Sequence, residues 1–359
     1  MKKQISILSL FLLLFIFSSC QRDNQVQGIE EITPDYFASA EGLVRDFYYS
    51  KTFCGGTGFH QKDDQAPWYY YTGEPLEIDY RIDNGGDSFE CGISIILDGV
   101  FQKFLLTDKN EKHVGEAVWH SIHLKKGETR FLRLKFNPNI GKKGDIMNIA
   151  IGTMIEPSFY NEYTGYGSYS RYDQHDLTAS SDVVVYMLVD AKTQQEGTVL
   201  KSDYISIPNI YKTWFVSDDP DLPENSRTRW GREYKAKLFT DFSMVENGVS
   251  LIQTQRKKAA EIFFDVFGMK ADWRASLFIN HELVDLSNGQ SFFDFSTNEQ
   301  SLTRVTLVVN TSELPKNNHA YVVLFQKAEN TNDNPIGNYV FADRIGTYYF
   351  IVEETDEIN

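Results

Sequence analysis

The chain has 359 residues, 42% of them hydrophobic and 14% aromatic, enough for one large domain or two ordinary ones. Its formal charge is −15, and losing Lys2 and Lys3 with a cleaved leader leaves −17. That balance argues against sequence-independent binding to nucleic acid, where phosphate contacts dominate affinity, and against an electrostatic hold on anionic lipid.

The chain opens with a short basic stretch, Lys2-Lys3, and an apolar run from Ile5 to Phe17 broken by Ser6 and Ser9. Ser18, Ser19 and Cys20 follow, then polar Gln21 to Asn24. A run of this length is that of a secretory leader and is short for a membrane span. The Phe17-Ser18-Ser19-Cys20 end resembles the lipobox of bacterial lipoproteins, with Phe17 standing where Leu is usual. The resemblance implies that residues 1–19 are a signal peptide and that the Cys20 thiol carries a diacylglyceryl group. It also implies that the chain is lipid-anchored on the outer side of a bacterial cell membrane or outer membrane. Residues 20–34 are polar and acidic and read as the tether.

The first domain is expected over residues 35–195. Residues 35–50 leave helix and strand open, and Cys54-Gly-Gly-Thr-Gly58 reads as a flexible loop without the GK[ST] of a phosphate-binding motif. Trp68 to Tyr71 opens the regular part. Leu76, Ile78, Tyr80 and Ile82 alternate with Glu77, Asp79 and Arg81, the period of a half-buried strand. Ile93 to Leu97, a turn at Asp98-Gly99 and a return over Val100 to Leu106 read as a hairpin. Further strands fit Ala117–Leu124, Arg130–Phe136, Ile146–Ile155 and Val183–Val189.

Residues 196–214 read as a linker, 215–353 as a second domain and 354–359 as an acidic tail. The second domain repeats the order of the first. Glu77-Ile78 answers to Glu261-Ile262, Ile93–Asp98 to Ala275–Asn280, and Thr129–Leu134 to Thr303–Val308. Ile146–Ile155 answers to Ala320–Gln326, and Val183–Val189 to Thr347–Val352. The expected fold class is all-β, with two tandem immunoglobulin-like β-sandwich domains.

With Cys20 assigned to lipid, Cys54 and Cys91 remain as an even pair outside the cytoplasm, either bonded in a disulfide or buried as separate thiols; the bond is the expectation. No cysteine or histidine spacing fits a zinc site, and Asp218 to Glu224 reads as a solvated acidic loop, with weak calcium binding as the alternative. No GxSxG, HExxH or GxGxxG is present, so no catalytic residue and no cofactor is assigned. His120 and His123 lie on a strand at a spacing that points them to opposite faces.

The segment Phe159 to Tyr172 is more informative. Tyr160, Tyr163, Tyr166, Tyr169 and Tyr172 recur every third residue among Gly, Ser and Asn, the composition of a binding loop. Tyr rings also stack on sugar rings, which makes a glycan a partner to test, and Trp68–Tyr71 is the next aromatic surface. These readings give a membrane-anchored surface lipoprotein with a non-catalytic binding ectodomain. Its partners are the membrane, through lipid, and an extracellular protein or glycan, with no nucleic acid. The alternatives are a polysaccharide-acting enzyme and an accessory subunit of an envelope complex.

Overall fold

The computed structural model describes residues 48–62, 66–109, 115–155, 157, 183–195, 198–200, 202–213, 234–246, 251–286, 290–327 and 339–353. Cys20, the five tyrosines of 160–172 and the acidic loop 218–224 lie outside the described residues.

Among the described residues the first sandwich has eleven strands: β1 (Tyr49–Gly56), β2 (Phe59–His60), β3 (Trp68–Tyr71), β4 (Leu76–Asn84), β5 (Phe89–Leu97), β6 (Val100–Gln102), β7 (Leu105–Asp108), β8 (His120–Leu124), β9 (Thr129–Phe136), β10 (Ile146–Ile155) and β11 (Val183–Met187). One sheet has the order β1-β4-β9-β7; the other runs β2-β3-β11-β10-β5-β6, with β8 also on β5. β3 pairs in parallel with β11, whereas β4–β9 and β5–β10 are antiparallel. This is the immunoglobulin arrangement, an A-B-E-D sheet facing a C-F-G sheet.

The strands form where the alternation is clean. In β4, Leu76, Ile78, Tyr80 and Ile82 are buried and the residues between them are half-buried. The expected return strand Val100–Leu106 divides: β6 stays on β5, and the chain crosses at Lys103 so that β7 joins β9 in the opposite sheet. The Cys54–Gly58 stretch is not a free loop. β1 runs through Gly56 and pairs with β4, its register shifting between Phe53 and Gly55. Gly56 has φ 126°, and a Cβ there would sit 1.9 Å from the Glu77 carbonyl oxygen, so only glycine lets β1 close on β4.

The expected Cys54–Cys91 disulfide is absent, and neither cysteine is in a disulfide. Cys54 sits in the β1 bulge, with Sγ turned back to the Thr52 carbonyl at 3.5 Å. Cys91 lies on β5 in the other sheet, fully buried, with Sγ 3.6 Å from the Gly92 carbonyl. An even count of cysteines says nothing about which sheet each enters.

The second sandwich contains β12 (Thr198–Val199), β13 (Ser202–Ile205), α1 (Asn209–Thr213), β14 (Lys235–Phe239), α2 (Phe242–Glu246), β15 (Leu251–Gln255), β16 (Ala260–Phe267), β17 (Asp272–Ile279), β18 (Glu282–Leu283), β19 (Phe293–Ser296), β20 (Leu302–Val309), β21 (Asn317–Lys327) and β22 (Tyr339–Glu353). Its sheets run β13-β20-β16-β14 and β12-β19-β17-β21-β22-β15, with β18 also on β17. β15 pairs in parallel with β22, as β3 does with β11. The five strand correspondences of the sequence occupy equivalent places: β4 with β16, β5 with β17, β9 with β20, β10 with β21, β11 with β22.

Within the expected linker 196–214, the described residues 198–200 and 202–213 belong to the second sandwich. β13 fills on β20 the edge that β7 fills on β9, and β12 pairs with β19. Tyr211 of α1 is fully buried, stacked on Phe267 at 4.3 Å, with its hydroxyl donating to Asp265 Oδ2 at 3.2 Å. Among the described residues no strand after β18 pairs with that edge of β20, and β13, from the chain ahead, pairs there.

The outward faces of the two larger sheets meet. Ile96, Phe101 and Met154 pack with Phe278, Tyr321, Val323 and Phe325. Phe101 meets Phe278 edge-on, ring centroids 4.8 Å apart. Arg274 Nη1 donates to the Asp98 carbonyl at 2.9 Å while its Nε and Nη2 hold Asp294 at 2.8 and 2.9 Å. Gln195 Nε2 donates to Ser291 Oγ. Gly92 makes room for Trp119, whose indole a Cβ there would strike at 1.9 Å, and the His281 ring stacks on Trp119 at 6.0 Å and 20°.

Two equivalent hairpin turns frame the contact. Asp98 and Gly99 have φ 48° and 79°, Asn280 and His281 53° and 64°, as two-residue turns of this hand require. His281 Nδ1 lies 3.0 Å from the Tyr321 hydroxyl.

Phe101→Ala should cost about 3–5 kcal/mol at this double-buried position. Calorimetry should then resolve separate unfolding of the two sandwiches, where the wild type unfolds as one. Burial pushes His281 down, and burial followed by the neighbouring His281 brings His319 from 6.5 to about 4. A histidine whose folded value is depressed supports folding above its unfolded value, and that support is lost as pH falls from 6.5 toward 4. The unfolding midpoint of wild type should therefore fall more steeply across that window than that of His319→Gln.

Candidate functional site

Strand β3 is aromatic at all four positions, and the period of two divides them. Tyr69 and Tyr71 point inward, both fully buried, and the Tyr69 hydroxyl donates to the Gly55 carbonyl at 2.8 Å. Trp68 and Tyr70 point outward and are half-buried. On β11 the inward residues Val183, Val185 and Met187 join the core, which leaves Tyr186 half-buried on the outward face.

Sheet order assembles these rings. The parallel register sets Tyr70 beside Tyr186, ring centroids 5.5 Å apart at 35°. The antiparallel register of β2 sets His60 opposite Trp68, the rings stacked at 6.0 Å and 13°. His60 also meets Tyr70 edge-on at 4.9 Å and 74°. His60 is exposed. The result is a platform of four rings on the β2-β3-β11 side of the larger sheet. The second sandwich covers the same face over β5 and β10, at Ile96, Ala150 and Met154.

The polar atoms of the platform are unspent within the described structure. The hydroxyls of Tyr70 and Tyr186 and the imidazole of His60 make no hydrogen bond there. Trp68 Nε1 is covered and has no acceptor. Buried or half-buried tyrosines usually find a partner, as Tyr69 and Tyr211 do here.

Other polar clusters are spent on the fold. Asp265, fully buried, holds Arg304 at 2.7 and 2.8 Å. Burial pushes its carboxyl up, and Arg304 and Tyr211 pull it back. Buried Arg130 joins Asp108, Glu128 and the His123 carbonyl. His120 is buried with Nε2 2.9 Å from the Phe104 carbonyl, while His123 is exposed. Among the described residues no group of His, Cys, Asp or Glu is placed to hold a metal ion. No described helix is long and apolar enough to cross a membrane.

Lys51 is the unusual titratable group. Tyr49 and Phe53 pack against the core, and Lys51 between them shares their side of β1. Its Nζ donates to Thr153 Oγ1 at 3.0 Å and to the Ile151 carbonyl at 3.4 Å, across the sandwich on β10. Burial brings the amine from 10.5 down to about 8, and the same burial pushes the Cys91 thiol up to about 12. A thiol held this high is a poor nucleophile, and the amine spends donors on β10. A lysine depressed in the fold is penalised while charged, and the penalty is relieved as pH rises from 8 to 10.5. The wild type should gain stability across that window in pH-dependent calorimetry, and Lys51→Met should lose the gain.

The sequence singled out Trp68–Tyr71 but not Tyr186 or His60. The alternation of β11 places Tyr186 on the outward face, yet nothing local says that β3 lies beside β11. No protein-family model and no curated protein matches the chain. Among solved structures, a protein of unknown function from Porphyromonas gingivalis W83 aligns at 9% identity over 85% of this chain and 99% of its own, with TM-score 0.22. The Salmonella enterica SafA pilin in complex with the SafB chaperone aligns at 9% over 86% and 99%, with TM-score 0.21. Bifidobacterium dentium β-glucuronidase aligns at 9% over 86% of this chain and 48% of the enzyme, with TM-score 0.23. Overlays this loose carry no argument about function, and the sandwich assignment rests on the strand order itself.

Proposed function

We propose that this chain is a lipid-anchored, non-catalytic binding module on the outer side of a bacterial membrane. The observation that carries the binding half is the His60–Trp68–Tyr70–Tyr186 platform, whose rings are partly open and whose phenols and imidazole are unspent. Aromatic side chains with one apolar face and one polar tip are the usual anchors of recognition surfaces. The anchoring half rests on the leader and on Cys20. The segment with Tyr160, Tyr163, Tyr166, Tyr169 and Tyr172 connects β10 to β11, the F–G position of an immunoglobulin sandwich, where variable domains carry a recognition loop. We assign it part of the same binding role.

Each half has its own test. Cys20→Ser should abolish fatty-acid labelling and release the chain from the membrane fraction; a mutant labelled like the wild type refutes the anchor. Crosslinking on intact cells should capture a specific adduct with the wild type. Tyr70→Ala/Tyr186→Ala should lose that adduct while keeping the wild-type unfolding midpoint. An adduct that survives this double substitution moves the binding surface elsewhere.

A further inference from the structure

The chemistry of the platform narrows the ligand. We propose that His60, Trp68, Tyr70 and Tyr186 bind the faces of uncharged sugar rings, so that the partner of this chain is a neutral glycan. This deepens the binding reading above and depends on it.

Three properties point the same way. The rings offer apolar faces in two pairs: His60 lies nearly parallel to Trp68 at 13°, Tyr186 is tilted 35° from Tyr70, and the pairs meet edge-on where His60 stands at 74° to Tyr70. A pyranose presents a patch of C–H groups on its face and hydroxyls around its edge. The C–H patch covers an aromatic face, and the edge hydroxyls hydrogen-bond to groups beside it. Here the phenols of Tyr70 and Tyr186 and the imidazole of His60 supply both donors and acceptors with no partner in the described structure.

The platform also carries no carboxylate, ammonium or guanidinium of its own, and the chain as a whole stands at −15. A uronic-acid polymer or a nucleic acid brings negative charge to a negative protein with no cation on the platform to receive it. An uncharged ligand meets no such penalty.

Size separates a glycan from a protein. An aromatic side chain buries 150–250 Å², so four partly covered rings offer roughly 400 Å² at most. A stable protein interface needs about 800 Å² from each partner. The four rings alone suffice for a few sugar units, whereas a protein footprint needs surface beyond them.

The test is isothermal titration of the full chain in detergent with four neutral hexasaccharides, cellohexaose, laminarihexaose, mannohexaose and chitohexaose, and with anionic hexagalacturonate. At least one neutral hexasaccharide should bind, and hexagalacturonate should bind at least tenfold more weakly. Tyr70→Ala and Tyr186→Ala should each weaken the neutral ligand at least tenfold with the unfolding midpoint unchanged. Tyr70→Phe and Tyr186→Phe, which keep the ring and remove only the hydroxyl, should weaken it by a smaller factor. They carry the test if the alanine variants fail to fold. Absence of binding to all four neutral sugars overturns the proposal. So does binding indifferent to all these substitutions, or a preference for hexagalacturonate. If no sugar binds but the cell-surface crosslink is a protein and is lost with Tyr70→Ala/Tyr186→Ala, the binding reading stands and the glycan is wrong.

Discussion

The molecule depends on strands that are buried on both faces. Along β5, Ile93, Ile95 and Leu97 fill the first core while Ile96 faces the second sandwich. Along β17, Ala275, Leu277 and Ile279 fill the second core while Phe278 faces the first. A sheet in a lone sandwich keeps a wet outer face, and its strands alternate. Here the outer faces of two such sheets remove each other from water. Direction comes from the polar ties at the rim, where Arg274 reaches the Asp98 carbonyl and His281 stacks on Trp119.

The contact is nearly reciprocal. The Asp98-Gly99 turn of the first sandwich approaches the Arg274 and Phe325 side chains of the second, while the equivalent Asn280-His281 turn reaches Trp119 of the first. Where the first sandwich has Gly99, the second has His281 in the same left-handed backbone conformation. A non-glycine residue there is uncommon, and histidine is among the few types enriched. The ring that justifies this conformation is the one that completes the contact with Trp119.

The same packing decides what remains open. Among the described residues the apolar contact of the second sandwich lies over β5, β6 and β10 of the first, away from β2, β3 and β11. The rings that would have alternated into solvent on a lone domain are therefore still half-exposed there, and they are aromatic instead of charged. On the smaller sheet the outward positions carry ion pairs, such as Arg133 with Asp79 and Lys135 with Glu77. The two faces of the sandwich therefore differ: ion pairs line one beside the exposed Phe131, and half-buried rings line the other, which is the face proposed for recognition.

The sequence by itself determined the strands whose signal is local. The alternation of Leu76 to Ile82, the Asp98-Gly99 turn and the order of the matched segments are legible because each depends on residues a few positions apart. Tertiary structure alone decided the rest. The β13 edge depends on pairing with β20, a hundred residues later, and the close approach at Gly56 depends on the Glu77 carbonyl. Cys54 and Cys91 are unbonded because the β1 bulge turns the Cys54 thiol back to the Thr52 carbonyl while Cys91 points into the core, a placement their even number does not encode. Trp68 and Tyr70 were visible in the sequence, but Tyr186 and His60 join them only through parallel pairing with β11 and antiparallel pairing with β2. Side-chain period is written within a strand; the neighbour across the sheet is set by which strands the whole core brings together.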